Sequence, residues 1–368
     1  MNTRRILTPE GEAPARGGLP VDPLATTETR NLCRNLFLLT TRGLLFGMQD
    51  ACGYGVGWSG DDHRSDVHSV CGDYPALISE ELNRVQRHDA VDRLASRITS
   101  AYIRGSVISL CWHLEDPDHR GFYAGDVNNR RVVASILPGG QRHEEYTRTL
   151  ETAALFLHSL VGPGGEPIPV IFRPFHEHTG DWFWWGAPHA TPEEYVALWR
   201  FTALFLRDTM SVHNLLWAFS PGLSHVGEGD RYFDRYPGDA YVDIFGADAY
   251  FPRHISREDL RSFRENLHTV VSHARSRDKL VALTEVGQEG LPTPDWFTRV
   301  LLGSLKDDPV NAHIVYAAVW RNASTTHHFA PYPGHASVPD FLRFYHDPYT
   351  LFLRDVPPLY ASPATPLA

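Results

Sequence analysis

Apolar stretches with strand character recur from about Glu28 onward, and amphipathic stretches with helical period separate them. The strand candidates are Leu44–Asp50, Val67–Tyr74, Gly105–Leu114, Ile168–Glu177, Leu215–Pro221, Asp243–Tyr250, Lys279–Gly287 and Ile314–Ala323. Helix signals lie between them at His143–Leu160, Pro192–Ser211, Ser256–Arg277 and Pro294–Asp308. Ser256, followed by Glu258 and Asp259, makes a capped, acid-rich helix start. Strands that alternate with helices predict a parallel sheet, because parallel neighbours need a long crossover.

Eight such strands predict a single (β/α)8 TIM barrel over residues 27–368, with a doubly wound open sheet as the alternative. Polar and aromatic residues gather at the C-terminal ends of the strand segments: Trp112 and His113, His176 and Glu177, Asp248 and Tyr250, Glu285, and Trp320 with Arg321. A barrel accounts for this, since its active site is built at that face, whereas an open sheet gathers ligands near a switch point. Residues 1–26, rich in Pro, Gly and Ala, read as a flexible leader.

At 368 residues, 42% hydrophobic and 21% charged, the chain has a globular composition that excludes disordered, collagen-like and coiled-coil architectures. Lys+Arg 34 against Asp+Glu 44 gives a net charge of -10, and the cations are Arg apart from Lys279 and Lys306. That balance argues against a nucleic-acid partner, which calls for a basic face. No apolar run reaches the length of a membrane span, and the N-terminus lacks the continuous apolar segment of a signal peptide. The 20 His are scattered and expected at the surface. Cys33, Cys52, Cys71 and Cys111 form no CxxC pair, which supports neither a zinc site nor a redox motif and leaves a Cys52–Cys71 disulfide open.

The chemistry concentrates in Phe172–Gly186, FRPFHEHTGDWFWWG. An apolar strand runs into His176 and Glu177, then into a loop that holds Trp182, Trp184 and Trp185. Indole faces stack on the C–H faces of sugar rings, although each is also an ordinary packing anchor. A second carboxylate, Glu285, ends the run LVALTEVG. A charge there must face a pocket or be paired, with Arg173 or Arg321 as partners within reach. In a barrel the two Glu stand on the fourth and seventh strands, whose ends face each other across the mouth. Two carboxylates across an aromatic cleft are what glycoside hydrolysis requires: an acid for the leaving oxygen and a carboxylate for the anomeric carbon. His176-Glu177-His178 lacks the HExxH spacing of a zincin, so neither a metal nor a cofactor is expected.

Taken in order, GDYPALI, WHLEDP, ILPGGQRHEEY, RPFHEHTGDWFWWG, HNLLWAFSP, RYPGDAYVDIFGADAY, LTEVG and VWRNA resemble glycoside hydrolase family 26, mainly β-mannanases, over residues 28–355. The resemblance implies a TIM barrel with Glu177 as acid/base and Glu285 as nucleophile. It implies a substrate-binding set of His113, His176, Trp182, Trp185, Asp248, Tyr250, Trp320 and Arg321. Tyr250 can hold the nucleophile through its hydroxyl, His176 and Arg321 offer donors, and Trp320 makes a floor under the ring. Two departures stand out. Met48 occupies a position where the family leads one to expect a His, which would leave a polar contact at the pocket rim missing. After GDYPALI the chain runs SEELNRVQRHD, which changes the second loop.

The expected partner is a β-mannan polysaccharide or manno-oligosaccharide, bound by a monomer with no membrane or nucleic-acid contact. A relative acting on β-1,3-xylan or mixed-linkage β-glucan is the second reading, and a non-catalytic carbohydrate-binding barrel the third. A polymer substrate points to a secreted or periplasmic protein, and imported oligosaccharides to a cytoplasmic one.

Overall fold

Runs of apolar residues become strands here because both of their faces find apolar partners. The computed structural model describes residues 18–363 apart from 41, 87, 129 and 227–230. Its barrel strands are β1 (Leu44–Gln49), β2 (Leu77–Glu81), β3 (Val107–Trp112), β4 (Val170–Pro174), β5 (Leu215–Phe219), β6 (Ile244–Tyr250), β7 (Leu280–Gly287) and β8 (Tyr316–Val319). Each pairs in parallel with the next, and β8 returns to β1 with Leu45 opposite Tyr316 and Met48 opposite Val319. The expected (β/α)8 barrel is therefore closed, and Thr350–Leu351 adds a short pairing beside the start of β1.

Alternate side chains serve two layers. Leu45, Leu77, Ile171, Leu216, Leu280 and their neighbours fill the lower lumen, and Leu32, Cys33, Leu36 and Leu39 of the helix Thr27–Leu39 join the same cluster. That first helix plugs the N-terminal mouth. Phe46, Ile78, Phe172, Trp217, Phe245 and Leu283 face the other way, into the layer between strands and helices. Each such side chain, fully buried, contributes roughly 1.5–3 kcal/mol, so the floor under the site is well anchored.

Several elements differ from expectation. Val67–Tyr74 is not a strand: Asp66–Cys71 is helical and stops at Gly72, whose φ of 75° is the left-handed conformation that ends a helix. Val67 and Val70 stand three apart, which puts them on one face of a helix and on opposite faces of a strand. The true second strand is Leu77–Glu81, and a hairpin of Gly53–Gly55 with Trp58–Asp61 precedes the helix. Between β5 and β6 the described residues hold only 3-10 turns, at Leu223–His225, Arg231–Phe233 and Asp239–Tyr241. Rings stand in for the helix there: Tyr232 and Tyr236 each lie within 5.5 Å of both Phe219 and Phe245.

Pro192–Leu204 is α-helical and Phe205–Thr209 π-helical, while Trp296–Leu302 is π-helical before Gly303–Lys306. Ser256 caps Arg257–Ser276 in a reciprocal box with Asp259. Helices also form at Thr27–Leu39 and His88–Arg104.

Of the proposed leader, residues 1–17 lie outside the described residues. Residues 18–26 are fastened to the barrel: the Val21 N–H donates to Asp243 at 2.7 Å, and Asp22 accepts from His213 at 2.8 Å. The Cys52–Cys71 disulfide is not formed. All four cysteines are free thiols, and burial pushes Cys52 and Cys71 each up to about 11. Among the described residues no helix is long and apolar enough to cross a membrane.

Candidate active site

Toward the C-terminal ends of the strands the lumen turns from apolar to charged. Arg173, two residues beyond Ile171 on β4, points inward by strand parity and is buried. Its guanidinium donates to Asp248 at 2.8 Å, to Ser220 at 3.2 Å and to Glu285. Thr284 donates to the other Asp248 oxygen at 2.6 Å. A buried cation is tolerated only with such partners. Burial raises Asp248 to about 7 against the pull of Arg173.

Glu285 owes its direction to a bulge. Ala247 pairs with Leu283 but Asp248 pairs with Glu285, so Thr284 is an extra residue in β7. Leu280 and Ala282 lie in the lumen and Val281 and Leu283 outside it, so unbroken alternation would send Glu285 outward. The bulge turns it inward, onto Arg173 and onto the Tyr250 hydroxyl, which donates at 2.5 Å.

Glu177 is aimed by backbone strain. Phe175 and Glu177 hold φ of 48° and 51°, a left-handed region that non-glycine residues seldom occupy. Surrounding bonds hold this turn: Glu177 N–H to Ser220 O at 2.8 Å, Tyr195 hydroxyl to Phe175 O at 2.9 Å, and Trp185 Nε1 to His176 O at 2.8 Å. The Glu177 carboxylate accepts from Trp182 Nε1 at 2.7 Å. Burial, then the charges of Glu285 and Asp248, raise its pKa well above the carboxylate range. Carboxylate oxygens of Glu177, Asp248 and Glu285 lie within 4.8 Å of one another. Such a triad could cradle a cation, but Arg173 already supplies one.

His113 and His176 form one wall, their Nε2 atoms 3.2 Å apart. Glu81 accepts from His113 Nδ1 at 2.5 Å and from its backbone N–H at 3.0 Å. A carboxylate cannot donate, so His113 Nδ1 carries the hydrogen of that bond. Burial and the nearby Arg173 charge hold His176 well below the usual imidazole range, hence neutral.

These groups line an open cleft of about 630 Å³. Of the residues singled out in the sequence, Glu177, Glu285, His113, His176, Trp182, Asp248, Tyr250 and Trp320 all border it. Trp182 and Tyr250 keep 37% and 44% of their surface exposed, enough to meet a ligand. Trp185 does not border it: fully buried behind His176, it holds the turn that carries Glu177. Arg321 is not among the residues that border the cleft; its charge lies close to Tyr54, whose hydroxyl donates to Asp50. Met48 packs in the outer apolar layer, so a side chain there could not supply the missing rim contact. The SEELNRVQRHD segment finishes β2 and makes a 3-10 turn, where Arg84 pairs with Asp50 and Glu80.

Sequence reading missed Glu81, Tyr123, Phe183 and the pair Glu289 with His327, which meet at 2.6 Å on the rim. Phe122 and Tyr123 inside HRGFYAGD were the available signal for the third loop.

The profile of Glycosyl hydrolase family 26 matches residues 21–299. A mannan endo-1,4-beta-mannosidase of Bifidobacterium adolescentis is 34% identical over 79% of this chain, and the chain spans 30% of that relative's length. Among solved structures, GH26C from Muricauda sp. superposes with a TM-score of 0.88 at 34% identity, covering 94% of this chain and 97% of that one. A GH26 beta-mannanase from Bacteroides ovatus gives 0.84 at 39% identity, covering 92% and 99%. With a family match over most of the described barrel and the same fold in its structural relatives, the chain belongs to glycosyl hydrolase family 26.

Proposed function

We propose that this protein is a retaining hydrolase of β-1,4-mannosidic linkages in mannan, glucomannan or galactomannan, with Glu177 as acid/base and Glu285 as nucleophile. The observation that carries the reading is that one oxygen of each carboxylate lies within 4.8 Å of the other, with different surroundings for the two groups. Retaining enzymes hold their carboxyls roughly 5–5.5 Å apart, while inverting enzymes leave about 6.5–9.5 Å for a water.

Each role follows from the surroundings. Glu285 accepts from Arg173 and Tyr250, which fixes its direction for attack on the anomeric carbon. Glu177, with its raised pKa, keeps its proton and gives it to the departing oxygen. Once the glycosyl-enzyme forms and Glu285 loses its charge, the repulsion that raised Glu177 is relieved. Glu177 then ionises more easily and takes the proton of the incoming water. Trp182 and Trp320 offer indole faces to the sugar, and His113 with His176 offers polar edges to its hydroxyls.

The mannan assignment draws on the names of the relatives, which are mannan endo-1,4-beta-mannosidases and GH26 beta-mannanases. A polymer of that kind favours action outside the cytoplasm. The test is reducing-sugar release from mannan, β-1,3-xylan and mixed-linkage β-glucan, with the first-formed anomer read by proton NMR. Preferred cleavage of mannan with β product formed first is expected, and an α product first, or a preference for xylan or glucan, would overturn the reading.

A further inference from the structure

Cys111 is the register partner of Glu81 on β2 and of Arg173 on β4, and its thiol is buried. Its sulfur lies 3.3 Å from Glu81 Oε2, 3.6 Å from Gln49 Oε1 and 3.7 Å from Glu80 O. A thiol has one hydrogen, so it serves one of these three acceptors at a time. The Gln49 amide nitrogen donates to Asp50 at 3.2 Å, which leaves its oxygen for the sulfur. The same Glu81 Oε2 also holds His113 Nδ1 at 2.5 Å. A sulfur, an imidazole nitrogen and a carboxylate oxygen thus converge, one atom from each residue within 4.8 Å of the others. Along the chain these residues show no ligand spacing; the register of β2 and β3 brings them together. Tetrahedral zinc bonds of about 2.0–2.3 Å put neighbouring ligand atoms roughly 3.3–3.8 Å apart, so side-chain shifts of about an ångström suffice.

We propose that Glu81, Cys111 and His113 form a site for a thiophilic divalent cation of the zinc class, with the Gln49 amide oxygen as a fourth donor, and that its occupation inhibits hydrolysis. Binding releases two protons, one from the Cys111 thiol and one from His113 Nδ1, and forms bonds from the metal to Sγ, Nδ1 and Oε2. Thiolate and carboxylate together cancel the charge of the ion, so the buried group is neutral. Burial pushes the free thiol well above its usual range, and coordination is what removes its proton. The neighbouring Arg173 charge is already taken up by Asp248 and Glu285. Glu81 and His113 are partly exposed, which gives the ion an entrance. Inhibition follows because His113 borders the cleft and must turn to ligate. The sulfur also separates this site from Glu177, Asp248 and Glu285, an all-oxygen set suited to magnesium or calcium.

The test titrates Cd²⁺ into the reduced, metal-free protein and follows the ultraviolet charge-transfer band of a cadmium thiolate. One equivalent should raise the band, and Zn²⁺ should displace it whereas Mg²⁺ should not. Cys111→Ser nearly keeps the size of the side chain and should abolish the band. Glu81→Gln keeps the thiol and should weaken Cd²⁺ binding by about a hundredfold or more, at least the upper end of what loss of an outer partner costs. Zn²⁺ should also suppress reducing-sugar release from mannan by wild-type protein, with recovery in EDTA. Cys111→Ser should hydrolyse mannan as wild type does and be insensitive to Zn²⁺. Absence of the band, its survival in Cys111→Ser, an unchanged affinity in Glu81→Gln or equal inhibition of Cys111→Ser each overturns the inference. The band does not depend on turnover, so a protein that binds Cd²⁺ in this way but leaves mannan intact overturns the mannanase reading and not the site.

Discussion

Glu285 at the end of β7 and Glu177 just beyond β4 are the same side chain in two very different places. Glu285 receives a buried guanidinium and a phenol hydroxyl, while Glu177 receives one indole N–H and faces the charges of Glu285 and Asp248. The backbone differs as well, a bulge in a continuous strand for one and a left-handed turn for the other. The difference teaches that surroundings and not residue type decide what a carboxyl can do: burial first, and then the charges of Glu285 and Asp248, raise Glu177. A single cation, Arg173, serves one carboxylate directly and leaves the other exposed to repulsion.

The sharpest break of this asymmetry is Glu285→Ala. Without a nucleophile no glycosyl-enzyme forms, so kcat should fall at least about 10⁴-fold on mannan and on aryl mannosides alike. Substantial turnover of an aryl mannoside by this variant would assign the attack elsewhere. Next comes Glu177→Ala, expected to lose about 10³-fold on mannan, whose leaving group needs a proton. A nitrophenolate departs unaided, so an aryl mannoside should still give a burst followed by slow turnover. Azide should speed that turnover and yield a β-glycosyl azide, and an α product would exchange the two roles.

Tyr250→Phe removes one of the two donors on Glu285 while keeping the ring against Phe329, 5.5 Å between centroids. A loss of about 10²-fold in kcat with little change in melting temperature is expected. An unchanged kcat would leave Arg173 as the donor that matters.

Trp182→Phe probes the other side. Its N–H favours the ionised form of Glu177, so its removal should raise that pKa further. Activity falls as pH rises through the pKa of the acid, so the alkaline limb of the profile should move to higher pH. A limb that moves down, or stays, would detach Trp182 from the proton donor.

The smallest effect is on stability. A folded carboxyl whose pKa lies above the unfolded value loses stability as pH rises through that interval. Glu177→Gln, which carries no charge, should therefore melt a few degrees higher than wild type at neutral pH and no higher near about pH 4. Equal shifts at both pH values would trace the gain to packing.

Much of the architecture was legible. Runs such as IPVIF and KLVAL are apolar on both faces, which suits strands lined inside by neighbours and outside by helices, and the polar residues at their ends mark the mouth. The second unit differs from expectation because a short apolar run is compatible with either element, although the three-residue spacing of Val67 and Val70 fits the helix alone, and Gly72 terminates a helix only once a helix has formed there. In the tryptophan loop, composition pointed to sugar stacking but could not apportion the rings. Trp184 and Trp185 are spent on packing and on the carbonyls of Leu114 and His176, and Trp182 alone of the three reaches the cleft.

The sequence by itself determined the parallel barrel, the two strand ends that carry Glu177 and Glu285, and the presence of an arginine near them. Tertiary structure decided which arginine. Arg173 shares lumen parity with Asp248 and bonds to it and to Glu285, whereas Arg321 does not border the cleft. It also decided that Glu285 faces inward, since alternation counted from Leu280 aims it at the helices and only the bulge at Thr284 reverses it. The reason is that side-chain direction in a strand depends on its pairing register, and register is set by hydrogen bonds to a neighbouring strand remote in sequence. A local pattern says where a strand runs. The neighbouring strand says which way each of its side chains points.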